Sequence, residues 1–332
     1  MTFFEAFQLP MQYLLDPGQR VFFLYWLFAF FAAGALLIIQ KRMTLKRTTK
    51  ILLDSRVWTH PSALLDFQLL VFNVFLKSLL LSGTLISSLM IAKHVVRSLT
   101  QLLGTPTLII ESGIWLIGAY TLVHFIFLDF TRFLQHYIFH KVPFLWDIHK
   151  VHHSAEVLNP VTLYRTHPLE SLISALRQML VIGMISGFFI YFSQGRIDVW
   201  TILGVNGLDF LFNFAASNLR HSHIWMSFGP LNRVFVSPAH HQVHHSRAPR
   251  HMNKNLGFSL SVWDQLFGTY YEVRKKEFLC FGVRGEKDHR FLHNLLLPIR
   301  FPAISSTSRE LEKNSKKGTL PRFSKSFQMV IR

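Results

Sequence analysis

Histidines recur at helical spacing in two separate parts of this sequence. The segment from Asp129 to His153 contains an H-x-x-x-H pair and then an H-x-x-H-H triplet, and a second H-x-x-H-H triplet begins at His241. Residues three and four positions apart share one face of a helix, so each group is expected to point its imidazoles in one direction. The candidate ligands are His136, His140, His149, His152, His153, His241, His244 and His245. Converging imidazoles of this kind predict a metal site.

Composition limits both the location of the chain and the chemistry of the site. Hydrophobic residues make up 50% and charged residues 16% of the sequence, and the mean hydropathy is +0.28, values that predict a membrane protein. The single cysteine, Cys280, excludes an intramolecular disulfide and thiolate-rich metal sites, so nitrogen and oxygen must hold any metal. The net charge of +17 indicates contact with anionic lipid head groups rather than nucleic acid, because the basic residues lie beside apolar runs and in the tail.

Apolar runs predict an all-α, polytopic membrane protein with about five hydrophobic segments. The first run has 19 residues without a charge, which as a helix is about 28 Å long, close to the ~30 Å of a hydrocarbon core. The fourth and fifth segments are joined by a tight hairpin at 193–196, and either both cross the bilayer or both enter one leaflet. The five segments are Val21–Ile39, Leu69–Ile91, Leu108–Leu128, Leu172–Phe192 and Ile197–Ala216.

Charge distribution predicts the orientation of these segments. Five basic residues between Lys41 and Lys50 follow the first segment directly, which places its end in the cytoplasm and the N-terminus outside. Residues 1–20 lack the features of a cleaved signal peptide. If the third helix continues past Leu128, His136 lies about 12 Å beyond the apolar run. Both histidine groups are therefore expected in a cytoplasmic helical cap, on the inner face of a bacterial inner membrane or an ER-type membrane.

The number of histidines predicts a site for two metal ions. Eight or nine imidazoles exceed what one ion coordinates, and two ions held close together can clamp one small molecule. Nearby carboxylates, Asp129, Asp147 and Glu170, are candidates to accept hydrogen bonds from the ring nitrogens that do not bind metal.

Other histidines lie outside the pair and the two triplets. His289 and His293 copy the spacing of the first pair but stand alone, so they are not expected to bind metal. The sequence leaves open whether His167, His223 and His240 are ligands. The stretch from Trp263 to Tyr270 is expected to have a structural role only.

The order H-x-x-x-H, H-x-x-H-H, H-x-x-H-H resembles the fatty acid hydroxylase and sterol desaturase superfamily of integral-membrane di-iron oxygenases. Further stretches resemble it at Arg165–Glu170, at His221-Ser222 and at Trp263–Thr269. The resemblance implies two iron ions bound by the eight histidines above, with His221 as a further ligand. Members often have His-Ser-Asn where this chain has His221-Ser222-His223.

The resemblance also implies an oxidoreductase that uses O2 to hydroxylate or desaturate a C–H bond of a lipid. Fatty acyl chains, sterols and alkylglycerol ethers are all candidate substrates. A fused haem domain is not expected, so electrons come from a separate donor such as a cytochrome b5-like protein or a ferredoxin with its reductase. The expected regions are an N-terminal transmembrane region (1–107), a catalytic domain (108–280) and a basic, partly disordered C-terminal segment (281–332).

Two other functions are compatible with a histidine-rich membrane protein. A zinc-dependent membrane hydrolase usually has a general-base glutamate, but the sequence contains no H-E-x-x-H motif. A metal transporter needs ionisable residues within its spans, whereas these histidine groups lie just outside the apolar runs. The oxygenase is therefore the preferred hypothesis.

Overall fold

A computed structural model describes residues 11–82, 87–106, 113–195, 201–202, 205–215, 217–283 and 289–296. The predicted disordered tail from Thr307 and the first residues of the chain lie outside the described residues. The regular elements of the described part are helices, apart from two strands of two residues each.

Among the described residues, three helices are long and apolar enough to cross a membrane. Helix α1 (Phe23–Ala35) continues as a π-helical turn (Leu36–Gln40), α6 spans Ile114–Lys141 and α8 spans Pro168–Ser193. They correspond to the first, third and fourth predicted segments. Helix α6 has 28 residues, or about 42 Å, and runs without a break from the apolar segment to the first histidine pair. These helices indicate an integral membrane protein.

The second predicted segment, Leu69–Ile91, is wrong as a single helix. Helix α4 (Pro61–Ser82) and helix α5 (Ser88–Leu103) divide it between them. Ser87 is in an extended conformation, and its hydroxyl accepts a hydrogen bond from the Met90 amide at 3.2 Å, which caps the start of α5. Hydropathy does not register such a cap, because the serine lies within an apolar run.

The fifth predicted segment, Ile197–Ala216, is also wrong as a spanning helix. Its described residues form two antiparallel strands, β1 (Thr201–Ile202) and β2 (Val205–Asn206), followed by α9 (Gly207–Ala215). Helix α9 has nine residues, about 14 Å, which is too short to cross a bilayer. The Asn206 side chain accepts a hydrogen bond from the Leu208 amide at 3.1 Å, so the helix begins only after this residue.

Short helices connect the long ones and surround the histidines. Pro143 lies in the first turn of α7 (Pro143–His153) and Pro238 in the first turn of α10 (Pro238–His244). At these positions a proline has no backbone hydrogen bond to lose. The short helices are α2 (Leu45–Leu52), α3 (Ser55–Trp58), α7 (Pro143–His153), α10 (Pro238–His244), α11 (Val262–Leu266) and α12 (Phe291–Leu296). Short 3₁₀ helices lie at Pro160–Tyr164, Ser217–Leu219, Gly229–Arg233 and Pro249–His251.

Helices α5 and α8 pack closely because α8 presents glycines at the contact. A Cβ atom added to Gly183 would lie 2.5 Å from the Cβ of Ile91, and one added to Gly187 would lie 2.6 Å from the Cβ of Val95. Backbone carbonyls of α5 lie within 2.8 Å of the same positions. Small residues spaced four apart allow close approach of helices within a membrane. This contact fixes α8, whose first turn contains Glu170.

We expect Gly187→Ala to destabilise the protein by about 1–3 kcal/mol, because the added methyl group would overlap the backbone and Val95 of α5. Gly118→Ala in α6 is the matched control, since no atom lies within 4 Å of its added Cβ. That control should be neutral or stabilise by up to about 1 kcal/mol. The measurement is thermal unfolding in detergent, and equal melting temperatures for the two variants would contradict the packing described here.

Candidate metal centre

Four elements bring the histidines together. The last two turns of α6 carry His136 and His140, and α7 carries the first triplet. Helix α10 carries most of the second triplet, with His245 at its C-terminal cap, and His221 follows the 3₁₀ helix at Ser217–Leu219. Pro143 separates α6 from α7, so the chain turns and the two helices face each other.

The nine predicted ligands lie in two groups. One group contains five histidines and the other four, and the ligand nitrogens within each group lie within 4.8 Å of one another. Each H-x-x-H-H triplet contributes to both groups, because its members at i and i+4 point to one group and the remaining member to the other. The first group is His136, His140, His149, His153 and His244; the second is His152, His221, His241 and His245.

The Nε2 atoms of the second group are in mutual contact. His221 Nε2 lies 3.2 Å from that of His152, 3.1 Å from that of His245 and 2.9 Å from that of His241. The Nε2 atoms of His241 and His245 are 3.1 Å apart. A cation at their centre would accept the lone pairs of all these nitrogens.

In the first group, the five Nε2 atoms are buried and have no hydrogen-bond partner among the described residues. Leaving a buried nitrogen unpaired costs about 1–3 kcal/mol. A metal ion bound at this group would remove the penalty for several nitrogens at once. The donor set fits a transition metal, because neutral imidazole is a common ligand for iron, zinc, copper and nickel.

Hydrogen bonds at Nδ1 orient several of these rings. His136 Nδ1 donates to the Leu256 carbonyl at 2.8 Å, and His244 Nδ1 donates to the Lys254 carbonyl at 3.0 Å. His149 Nδ1 donates to Glu170 Oε1 at 2.9 Å. A proton on Nδ1 leaves the Nε2 lone pair free for a metal. His140 and His152 make the same type of contact, with Asn253 Oδ1 and the Arg165 carbonyl, at 3.2 Å each.

Burial keeps the imidazoles neutral. Desolvation, together with the charge of His149, lowers the pKa of His152 to about 4. Desolvation also lowers the pKa of His244 to about 3. Both rings are therefore uncharged at pH 7, which is the form that binds a metal without first releasing a proton.

A buried ion pair holds the end of α7 in place. The Arg165 side chain is fully buried and lies 3.1 Å from Asp66 Oδ1 of α4. Arg165 also donates to the Val151 carbonyl at 2.9 Å and to Ser154 Oγ at 2.7 Å. The first triplet is thus tied to α4 through one guanidinium, and the Arg165 carbonyl orients His152.

Of the three candidate carboxylates, Glu170 alone is bound to a ligand ring. Asp129 instead accepts hydrogen bonds from the backbone amides of Ser259 and Leu260 and from the Trp263 indole, at 2.7–3.0 Å. Asp147 pairs with Lys150 at 2.9 Å. For these two residues the sequence-based expectation is replaced by a structural role.

The histidines whose roles the sequence left open lie outside both groups. His167 caps α8 through Nδ1 and donates from Nε2 to the Leu295 carbonyl at 2.9 Å. His223 donates to the Ile51 carbonyl at 2.7 Å, and His240 stacks edge-on against Tyr270. His289 and His293 are not in either group; His289 lies 3.3 Å from Arg165 and 3.5 Å from Glu156.

The sequence predicted a structural role for the stretch from Trp263 to Tyr270, and the structure shows that this role includes positioning a ring of the first histidine group. Asp264 accepts hydrogen bonds from the amides of Leu256 and Gly257 at 2.7 and 2.8 Å. The Thr269 hydroxyl donates to the same carboxylate at 2.6 Å. These bonds fix the loop whose Leu256 carbonyl orients His136. An aspartate eight residues after a leucine carries no metal-site signal by itself, so only the fold reveals this role.

Comparison with known proteins agrees with this geometry. Residues 121–269 match the sequence profile of the fatty acid hydroxylase family, a range that contains all nine histidines of the two groups. This part of the chain is therefore similar to the fatty acid hydroxylase family. The resemblance noted from the histidine spacing is confirmed.

Characterised relatives of this domain include two alkylglycerol monooxygenases and a bacterial lipid hydroxylase. The alignment with the Caenorhabditis elegans enzyme covers 47% of this chain at 29% identity, and that with the Xenopus tropicalis enzyme covers 48% of this chain at 30% identity. It is 26% identical to the ornithine lipid hydroxylase OlsE of Rhizobium tropici over 55%. These alignments cover 28%, 32% and 51% of the respective relatives, so the chain matches only part of each. No solved structure matches the chain significantly.

We expect Glu170→Gln to weaken metal binding about 10- to 100-fold. The substitution keeps the size of the side chain but removes the charge that strengthens its bond with His149. Glu156→Gln is the control, because Glu156 lies near His289 and outside both histidine groups. The measurement is metal retained against a competing chelator, and retention by Glu170→Gln equal to that of wild type would refute this role.

Proposed function

We propose that this protein is a membrane-bound di-iron oxygenase that hydroxylates or desaturates a C–H bond of a lipid. The observation that supports it most directly is the convergence of nine imidazole Nε2 atoms in two adjacent groups of five and four. The family match and the lipid-oxidising relatives support the same reaction class.

The two groups would each hold one iron ion, and bound iron would supply the activated oxygen needed to attack an unactivated C–H bond. In hydroxylation, one oxygen atom of O2 enters the C–H bond and the other leaves as water, which consumes two electrons and two protons. A separate electron donor, a cytochrome b5-like protein or a ferredoxin with its reductase, would deliver the electrons.

The residues of the chain fix the position of the metal ligands before the reaction. The Leu256 and Lys254 carbonyls and Glu170 hold three rings in the tautomer that leaves Nε2 free. Preorganised ligands avoid reorganisation during the reaction. The three apolar helices support a position of the centre next to the bilayer, from which a lipid would enter without crossing water. We assign the active site to the cytoplasmic side because of the basic residues that follow α1.

Several alkyl-chain lipids fit this proposal. One group of relatives is named for the oxidation of alkylglycerols, and another relative is named for the hydroxylation of an ornithine lipid. Fatty acyl chains and sterols remain further candidates. In each case the substrate presents a C–H bond without an acidic proton, so acid–base chemistry alone is insufficient.

We expect His152→Ala and His244→Ala each to abolish oxygen insertion, because each removes a ligand from a different group. His94→Ala is the control, since His94 is exposed on α5 and belongs to neither group. Cells expressing each variant are supplied with isotopically labelled O2, and mass spectrometry of total lipids detects the label in a hydroxylated product or the loss of two hydrogens in a desaturated one. Labelled lipid in His152→Ala cells at the wild-type level would rule out the proposed mechanism.

A further inference from the structure

Three arginines surround the ring of Phe258. The guanidinium carbons of Arg20, Arg132 and Arg220 lie 4.2, 4.7 and 4.9 Å from the ring centre. A ring has only two faces, so at least two of the three cations share a side. Stacking on an aromatic ring leaves the N–H groups at the edge of a guanidinium available to an anion. We call these three residues the arginine cluster.

The two carboxylates near the arginine cluster offset only part of its charge. Asp209 lies 3.6 Å from Arg132, while Asp129 is already bound to two backbone amides and the Trp263 indole. Arg220 is 2% exposed, and its Nε and Nη2 atoms are buried without a hydrogen-bond partner among the described residues. Several buried N–H donors and a surplus of positive charge therefore face one small region.

Burial of these cations is unfavourable without an anion. Desolvation, together with the charge of Arg132, lowers the pKa of Arg20 to about 9. Arg20 donates one hydrogen bond to the Ser217 hydroxyl, which carries no charge. A bound anion would offset both the desolvation and the mutual repulsion.

The arginine cluster adjoins the metal centre. Arg132 precedes His136 by one helical turn on α6, and Arg220 is the residue before His221. Phe258 follows Leu256, whose carbonyl orients His136, by two residues. A ligand held by the cluster would therefore lie beside the two histidine groups.

We propose that the arginine cluster binds an anionic group, a phosphate ester or a carboxylate, at the polar end of the lipid substrate. Guanidinium groups form paired, charge-assisted hydrogen bonds with both kinds of anion. The assignment of this lipid as substrate rests on the proposed function; the anion site itself does not. This proposal limits the substrates to anionic lipids, because an uncharged alkylglycerol would leave the arginine cluster without an anion.

A cavity of about 160 Å³ at another place in the described residues offers a direct comparison. It is lined by residues that include Tyr13, Asn73, Lys77 and Ser174, and Lys77 is its one cation among the described lining residues. The described lining of this cavity contains one cation, whereas the arginine cluster contains three. Lys77→Gln is therefore a matched control that removes one partly buried positive charge at another place.

The test measures binding of lipids that share one alkyl chain and differ in the polar group. Purified, metal-loaded protein in uncharged detergent is titrated with hexadecyl phosphate, palmitate and hexadecanol. We expect the anionic lipids to bind at least about tenfold more tightly than the alcohol, as charge-assisted hydrogen bonds of this strength predict. Arg132→Gln and Arg20→Gln should lose this preference while Lys77→Gln retains it. The better of the two anions identifies the polar group as phosphate or carboxylate.

Other outcomes would overturn the assignment. Equal binding of all three lipids by wild type, or an unchanged preference in both arginine variants, would refute the anion site. Loss of the preference in Lys77→Gln would place the anion in the other cavity. Inorganic phosphate that binds as tightly as hexadecyl phosphate would indicate a site for a free anion. Failure of both hydroxylation and desaturation with an intact anion preference would refute the proposed function and leave the anionic lipid site standing.

Discussion

The structure depends on the burial of nine imidazoles whose Nε2 atoms point at one another. Neutral rings packed this closely place lone pairs together and leave buried nitrogens unpaired, an arrangement that is unfavourable without cations. Metal ions reverse this balance because each accepts several lone pairs at once. Metal binding is therefore expected to contribute directly to the stability of the folded protein.

The surrounding structure serves to hold these rings. Backbone carbonyls and Glu170 orient them from outside, and the Asp66–Arg165 pair joins α7 to α4 across 99 positions of sequence. The glycines of α8 allow close contact with α5, and this fixes the helix whose first turn contains Glu170. The long helices therefore carry part of the histidine site as well as the apolar segments.

The sequence predicted which histidines converge, and it predicted the path of the chain less well. Spacing identified eight histidines, because residues at i, i+3 and i+4 share one face of a helix. The family resemblance added His221. Hydropathy failed at 69–91 and 197–216, where Ser87 and Asn206 redirect the backbone within apolar runs. Partners such as Asp66 with Arg165, or His136 with Leu256, are far apart in sequence and carry no local signal. The domain boundaries at 107 and 280 stay predictions.

The central claim is that the two histidine groups hold two metal ions. Elemental analysis of the purified full-length protein, produced with added iron, measures this directly as ions bound per chain. Because purification can exchange one transition metal for another, the number of ions is a better observable than their identity. The account predicts a value close to two, and a reproducible value near one or zero would contradict it.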